Sequence, residues 1–337
     1  MENGKSEYRR ERLDRGIKAR SDTIYAIASG RDMLYLMLPR ILPIVLILIL
    51  PLLTGAYWTK VLVYAAVYGL LALSWDFLAQ CGLFSLGQAL FFGVGAYLAG
   101  VFNYYFHWPI IVTLPAATIC GALICTIILS PVIRLRGVYF AMVTIVVPML
   151  LARLVIATGI FGGTHGLTNL TPFRNDWVAV YLILIVLLTC LFVFRRVMRE
   201  DYGLILTAIR GDDRAVMSGG INIYWRKMQA LFIASSVGCL AGAFMCHNYQ
   251  FVGTSVFALD YSLLPLAATA LGGPGTFAGA VVGSLILVPL SEVLREFGGL
   301  RMAFYCVILI ICVTALPEGI FHYIARKYHQ FERLVKV

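Results

Sequence analysis

Few residues in the apolar stretches of this chain could exchange protons, hold a metal or attack a substrate. They are His165 and His247, the carboxylates Asp76, Asp260 and Glu292, and Arg153. A membrane-embedded enzyme needs such groups to converge, and an ion-coupled carrier needs charges buried at mid-membrane depth. Both histidines are isolated, and Asp76, Asp260 and Glu292 are expected close enough to the ends of apolar spans to reach an interface. Eight cysteines, at 81, 120, 125, 190, 239, 246, 306 and 312, fall mostly inside apolar runs with no CxxC pair. They are predicted to be small packing residues rather than metal ligands. Gly4-Lys5-Ser6 matches the last residues of a phosphate loop, but the glycine required five positions earlier would precede the chain. The expectation is a protein that is not an enzyme, with no catalytic residue, no metal and no cofactor of its own.

Glycine beside uncharged polar side chains is more abundant. Ser85, Gly87 and Gln88 form one such cluster, and Gly163, Thr164 and His165 lie in a second, between Gly162 and Gly166. These groups suit a passage for a small polar solute driven by energy supplied elsewhere, and they are the candidates for lining it.

The elements that would position them are membrane spans. Hydrophobic residues make up 61% of the chain, charged residues 13%, and mean hydropathy is +0.87. That is too much apolar sequence for one soluble core. About ten transmembrane helices are predicted, near 34–53, 61–79, 85–104, 110–133, 139–156, 178–194, 228–246, 262–271, 277–294 and 302–316, in an all-α polytopic fold. The eighth is short and stops at Gly272-Gly273-Pro274-Gly275, so a broken or partial crossing is expected. Small residues recur every fourth position in three places: Ser85, Ala89 and Gly93; Ala234, Gly238 and Gly242; Gly275, Gly279 and Gly283. Such rows let helices approach closely and are expected to pack. With the amino terminus inside, 22 Lys and Arg fall on the cytoplasmic side and 4 outside, with Arg153 within a span. This asymmetry places both termini in the cytoplasm. The net charge of +10 is thus distributed between spans, and nucleic acid is not expected as a partner. The organisation expected is a cytoplasmic tail over 1–32, a membrane domain over 33–320 and a second tail over 321–337.

The longest polar break, 195–227, holds seven basic and four acidic residues but also Leu204, Ile205, Leu206, Ala208 and Ile209 on a helical face. A folded docking element is expected there. Asp212 or Asp213 can cap a short helix carrying Arg214 and Ala215, and Gly219 or Gly220 can end it.

Five stretches in order also carry a family resemblance. Cys81 to Ala89 with Phe92 to Tyr97, Arg134 to Ala141 with Thr144, Gly162 to Leu167, Gly272 to Thr276 with Gly279 and Gly283, and Pro317 to Ile320 resemble LivM-type permease subunits of ATP-binding-cassette importers for branched-chain amino acids. Departures are Gln88 for a common histidine, Leu83 for glutamine, Ala79 for glycine, and Val216-Met217 for smaller residues. The resemblance implies a homologous second permease, two cytosolic ATPase subunits that hydrolyse the ATP, and an extracytoplasmic solute-binding protein. It also implies residence in the inner (cytoplasmic) membrane of a bacterium or archaeon, and a coupling helix near Asp212 to Gly220. Permeases for urea and short amides share these signatures. From other classes, an ion-coupled carrier with broken helices is the rival, followed by a membrane-embedded enzyme.

Overall fold

The structure is a computed structural model describing residues 8–12, 43–135, 137–295, 307, 310, 314, 319–329 and 332–336. Its helices in order are α1 (Pro43–Leu53), α2 (Ala56–Gln80), α3 (Gln88–Phe106), α4 (Ile110–Leu129), α5 (Val138–Thr158), α6 (Asp176–Val197), α7 (Asp201–Gly211), α8 (Asp213–Ser218), α9 (Ile223–Tyr249), α10 (Asp260–Gly272), α11 (Ala278–Val293) and α12 (Ile320–His329). Among the described residues the only sheet is a ribbon of β1 (Tyr8–Arg12) paired antiparallel with β2 (Glu332–Lys336). Six helices, α2 to α6 and α9, are long and apolar enough to cross a membrane, and α1 and α11 are shorter apolar helices. The chain is an all-α polytopic membrane protein. The first span is described only from Pro43, and of the tenth only Val307, Ile310 and Thr314 are described.

Local sequence sets the helix ends. Asn175 begins α6 by accepting from the Trp177 amide at 3.2 Å, and Asn222 begins α9 by accepting from Trp225 at 3.3 Å. Each satisfies one of the amides that a first turn leaves without an intrahelical partner. The polar break at 195–227 is therefore narrower than its composition suggests, because α6 extends to Val197 and α9 starts at Ile223.

Helix α2 is the central post, buried continuously from Val61 to Val63 and from Ala65 to Ala79. Hydrophobic on all sides, it is surrounded by α6, α9, α10 and α11. Against this post the crossings of α3 with α9 and of α10 with α11 are as close as backbone permits. A Cβ at Gly95 would overlap the Cys239 carbonyl, one at Gly242 the Phe92 carbonyl, and one at Gly283 the Ala268 carbonyl. Gly238 approaches the Phe91 side chain, Gly93 receives the ring of Phe257, and Gly279 abuts the carbonyls of Gly272 and Gly273. Gly275 has open space around it and a φ of 89°, a turn position rather than a packing one.

The row expected at Ser85, Ala89 and Gly93 is interrupted, because Ser85 precedes the helix that holds the other two. Cys81 to Gly87 form a turn that runs back alongside α2, where the Trp75 indole donates to the Ser85 carbonyl at 2.7 Å. Helix α3 consequently begins at the level of Ser74, about 9 Å from the end of α2 at 1.5 Å per residue. Helix α10 is shorter still, 13 residues or about 20 Å, less than a bilayer core of about 30 Å. It starts with the Tyr261 ring stacked 5.6 Å from that of Tyr68, the middle of α2, and with Ser262 Oγ accepting from the Ala89 amide at 3.0 Å. The eighth span is a partial crossing.

Gly242→Ala should destabilise the protein by about 1–3 kcal/mol through overpacking, whereas Gly219→Ala should not, since its Cβ would meet only the Val216 carbonyl at 3.4 Å. Thermal denaturation in detergent checks this; equal midpoints for both variants would mean that the α3–α9 crossing relaxes freely.

Candidate functional site

The end of the bundle that carries α7 and α8 is built by short-range polar contacts. Asp212 Oδ1 accepts from the Arg214 amide at 2.8 Å and so caps α8, while the Gly219 amide returns to the Val216 carbonyl and Gly220, at φ 78°, turns the chain away. Of the two possible caps the fold uses Asp212. Asp213 instead pairs with Lys227 of α9 at 3.1 Å, both side chains being nearly buried. Arg214, Ala215, Met217 and Ser218 project outward. Beside this helix a cavity of about 560 Å³ is lined by Ile133, Arg134, Asp213, Met217, Tyr224 and Lys227. The Arg134 guanidinium lies over the Tyr224 ring, whose hydroxyl meets Ser130 Oγ at 2.5 Å.

Helix α7 touches the re-entering turn directly, since a Cβ on Gly82 would lie 3.2 Å from the Arg210 Cα. Burial there pushes the Cys81 thiol well up from its usual range, against a smaller opposing effect of Lys227, so the sulfur packs as a neutral thiol. Burial likewise pushes the Tyr202 phenol of α7 up to about 12, with Cys81 adding to the shift and Arg226 opposing it.

Asp76 does not reach an interface. It is fully buried, and its carboxylate accepts from the Gly275 amide at 2.7 Å and the Phe277 amide at 3.0 Å, clamping the junction between α10 and α11 to α2. Phe277 has a φ of 52°, a costly conformation for a bulky residue, and it persists because neighbours over-determine it. The first polar cluster lies nearby. Ser85 Oγ accepts from the Gly87 amide at 3.0 Å, Thr144 Oγ1 from the Leu86 amide at 3.0 Å, and the Ser74 hydroxyl lies 2.8 Å from the Ala234 carbonyl and 3.2 Å from Gln88 Oε1. Ser85, Gly87 and Gln88 are all buried, and among the described residues Gln88 Nε2 has no acceptor.

At the opposite end the second cluster sits on a strapped loop. Gly163 is buried while Thr164 and His165 are exposed, and the loop pairs with the chain after α9 through Leu167 and Val252. Asn103 holds the same strap by donating to Thr171 Oγ1 at 2.7 Å and accepting from the Thr171 amide at 2.9 Å, and His247 Nδ1 meets the Thr171 carbonyl at 3.0 Å. A cavity of about 360 Å³ opens at this end between Tyr57, Lys60, Tyr64, Tyr68, Glu292 and Arg295. Glu292 accepts there from Tyr57 at 2.7 Å and Arg295 at 2.9 Å.

The two predicted polar clusters are therefore at opposite ends and do not form one site. Sequence reasoning passed over Asn103, Ser74 and Ser262. A lone amide or hydroxyl in an apolar run is the only signal such residues leave, and their partners lie as far as 173 positions away.

Six helices long and apolar enough to cross a membrane, packed through glycine and carrying a capped, outward-facing helix at one end, describe a polytopic membrane protein. The chain belongs to the family described as branched-chain amino acid transport system / permease component, whose model matches residues 57–316. It is 26% identical over 270 residues to the high-affinity branched-chain amino acid transport system permease protein LivM of Escherichia coli strain K12, covering 71% of this chain and 64% of that protein. The LivM protein of Salmonella typhimurium gives the same figures. The probable branched-chain amino acid transport permease protein LivM of Methanocaldococcus jannaschii is 23% identical over 189 residues, 53% of this chain and 54% of that protein. The alignments thus span less than two thirds of these relatives. No solved structure matches the chain.

Asp76→Ala would leave the buried Phe277 amide without its acceptor, worth about 1–3 kcal/mol, and would also release the part-buried Gly275 amide, while Asp76→Asn keeps one acceptor. Thermal stability should fall in the order wild type, Asn, Ala. An alanine variant as stable as wild type would show that the α10–α11 junction holds itself.

Proposed function

We propose that this chain is the membrane-spanning permease subunit of an ATP-driven importer for branched-chain amino acids, coupled through α8 to a separate ATPase subunit. The observation that carries it is the form of α8: six residues, capped by Asp212, released by Gly220, tied to α9 by Asp213–Lys227, and exposing Arg214 and Ala215. A solvated connector needs neither the cap nor the nearly buried ion pair. A docked lever needs both, because force applied to its outer face must reach a spanning helix.

In this reading α8 sits in a groove of one of two cytosolic ATPases. A homologous second permease completes the path, an extracytoplasmic binding protein delivers the solute, and the assembly lies in the cytoplasmic membrane of a bacterium or archaeon. The distribution of basic residues supports a cytoplasmic position for α7, α8 and both termini. The pairing of β1 with β2 supports the same face for the two termini. Ser85, Gly87 and Gln88 then belong to the inner half of the path, and Gly163, Thr164 and His165 to its outer mouth. The closely packed glycines Gly93, Gly238, Gly242, Gly279 and Gly283 keep the helices that carry them together.

Ala215→Trp, on an exposed position, should leave membrane insertion intact while lowering ATPase retention, solute-stimulated ATP hydrolysis and L-leucine uptake by the reconstituted assembly. Wild-type values for all three would remove α8 from the coupling. Reporter fusions after Lys227 and at the carboxyl terminus should read cytoplasmic and one near Trp177 external; an external reading after Lys227 would invert the topology.

A further inference from the structure

The chain between α9 and α10 does not cross over the bundle but enters it. Phe257 fills the notch at Gly93 and stacks on Tyr97 at 5.5 Å, and Tyr261 stacks on Phe92 at 4.1 Å as well as on Tyr68. Tyr68 is the middle residue of α2, so α10 begins near mid-depth. Its first residue is Asp260, exposed together with Ala258, Leu259 and Leu263. Among the described residues the carboxylate has no ion-pair or hydrogen-bonding partner, and α10 has no side-chain cap.

A carboxylate at that depth is strongly disfavoured against acyl chains and belongs beside water or a cationic partner. Helix α5 packs on the 254–257 turn and exposes a stripe of Tyr139, Met142, Val146 and Leu150 that continues into a second exposed charge, Arg153. The acidic start of α10 does complement the helix dipole, but that effect requires no position inside a membrane.

We propose that Asp260 lines the solute passage at mid-depth and receives the ammonium group of the transported amino acid. This rests on the amino-acid importer reading above and adds to it the group that distinguishes an amino acid from an uncharged amide.

The test uses the complete assembly in proteoliposomes, with ATP-driven uptake of L-leucine as the readout. Asp260→Asn should cut uptake about tenfold or more, the scale of a lost hydrogen bond to a charged group, with all subunits retained, and Asp260→Glu should restore most of it. Asp260→Cys should be labelled by a membrane-impermeant cationic thiosulfonate above the background of the native cysteines, and saturating L-leucine should slow that labelling. Unchanged uptake by Asp260→Asn, or no labelling above background, overturns the proposal; so does loss of the second permease from the Asn variant, which would make Asp260 a subunit contact. If the wild-type assembly takes up no L-leucine, the importer reading fails instead, and the labelling still decides whether a passage reaches Asp260.

Discussion

Where α3 crosses α9, and again where α10 crosses α11, main chain meets main chain, and a hydrogen atom is the largest side chain that fits. In a lipid environment the hydrophobic effect gives helices little reason to associate, so contact at this range, with its dense dispersion attraction, does much of what burial does in water. Everything polar inside the bundle depends on it. Only because α9 comes this close can the Ala234 carbonyl reach the Ser74 hydroxyl, which also meets Gln88. Only because α11 lies against α10 does the chain between them turn tightly enough to present two amides to Asp76.

That arrangement also connects the two working ends. From α8 the ion pair to Lys227 leads into α9, and α9 runs as one continuous helix to the strap at Thr171. A parallel route goes from Arg210 in α7 through Gly82 into the re-entering turn. Both begin on short cytoplasm-side helices in the proposed topology; the first ends at the strap on the opposite end and the second at polar groups inside the bundle. Under the proposed coupling, a rigid displacement of α7 and α8 would pass through these contacts to α9 and to the turn that starts α3.

Much of this was legible beforehand, and the failures have physical causes. Long apolar runs gave the spans, and the Asp212 to Gly220 punctuation marked α8, because caps and turns are local chemistry that a short window contains. The brevity of span eight was visible in its glycines. What stayed hidden was depth. Periodicity at Ser85, Ala89 and Gly93 reads as one helical face only if the helix already includes Ser85, and the turn from Cys81 to Gly87 delays its start. Asp76 looked able to reach water because its distance from the span end along the chain is short, yet the space around it is closed by a segment some 199 positions later. The choice between Asp212 and Asp213 as cap likewise turned on Lys227, a partner on another helix.

The separation of Asp76 from its acceptor-seeking amides has a consequence for biogenesis. Span two leaves the ribosome with a carboxylate whose two backbone donors, Gly275 and Phe277, have not yet been made. At about 5–20 residues per second, roughly 10–40 s pass before they emerge. During that interval the nascent helix carries a polar group that must remain against the insertion machinery, water or a neighbouring amide. The clamp is thus among the last contacts to form: span two reaches its buried, fully hydrogen-bonded state only once the segment carrying Gly275 and Phe277 has been made.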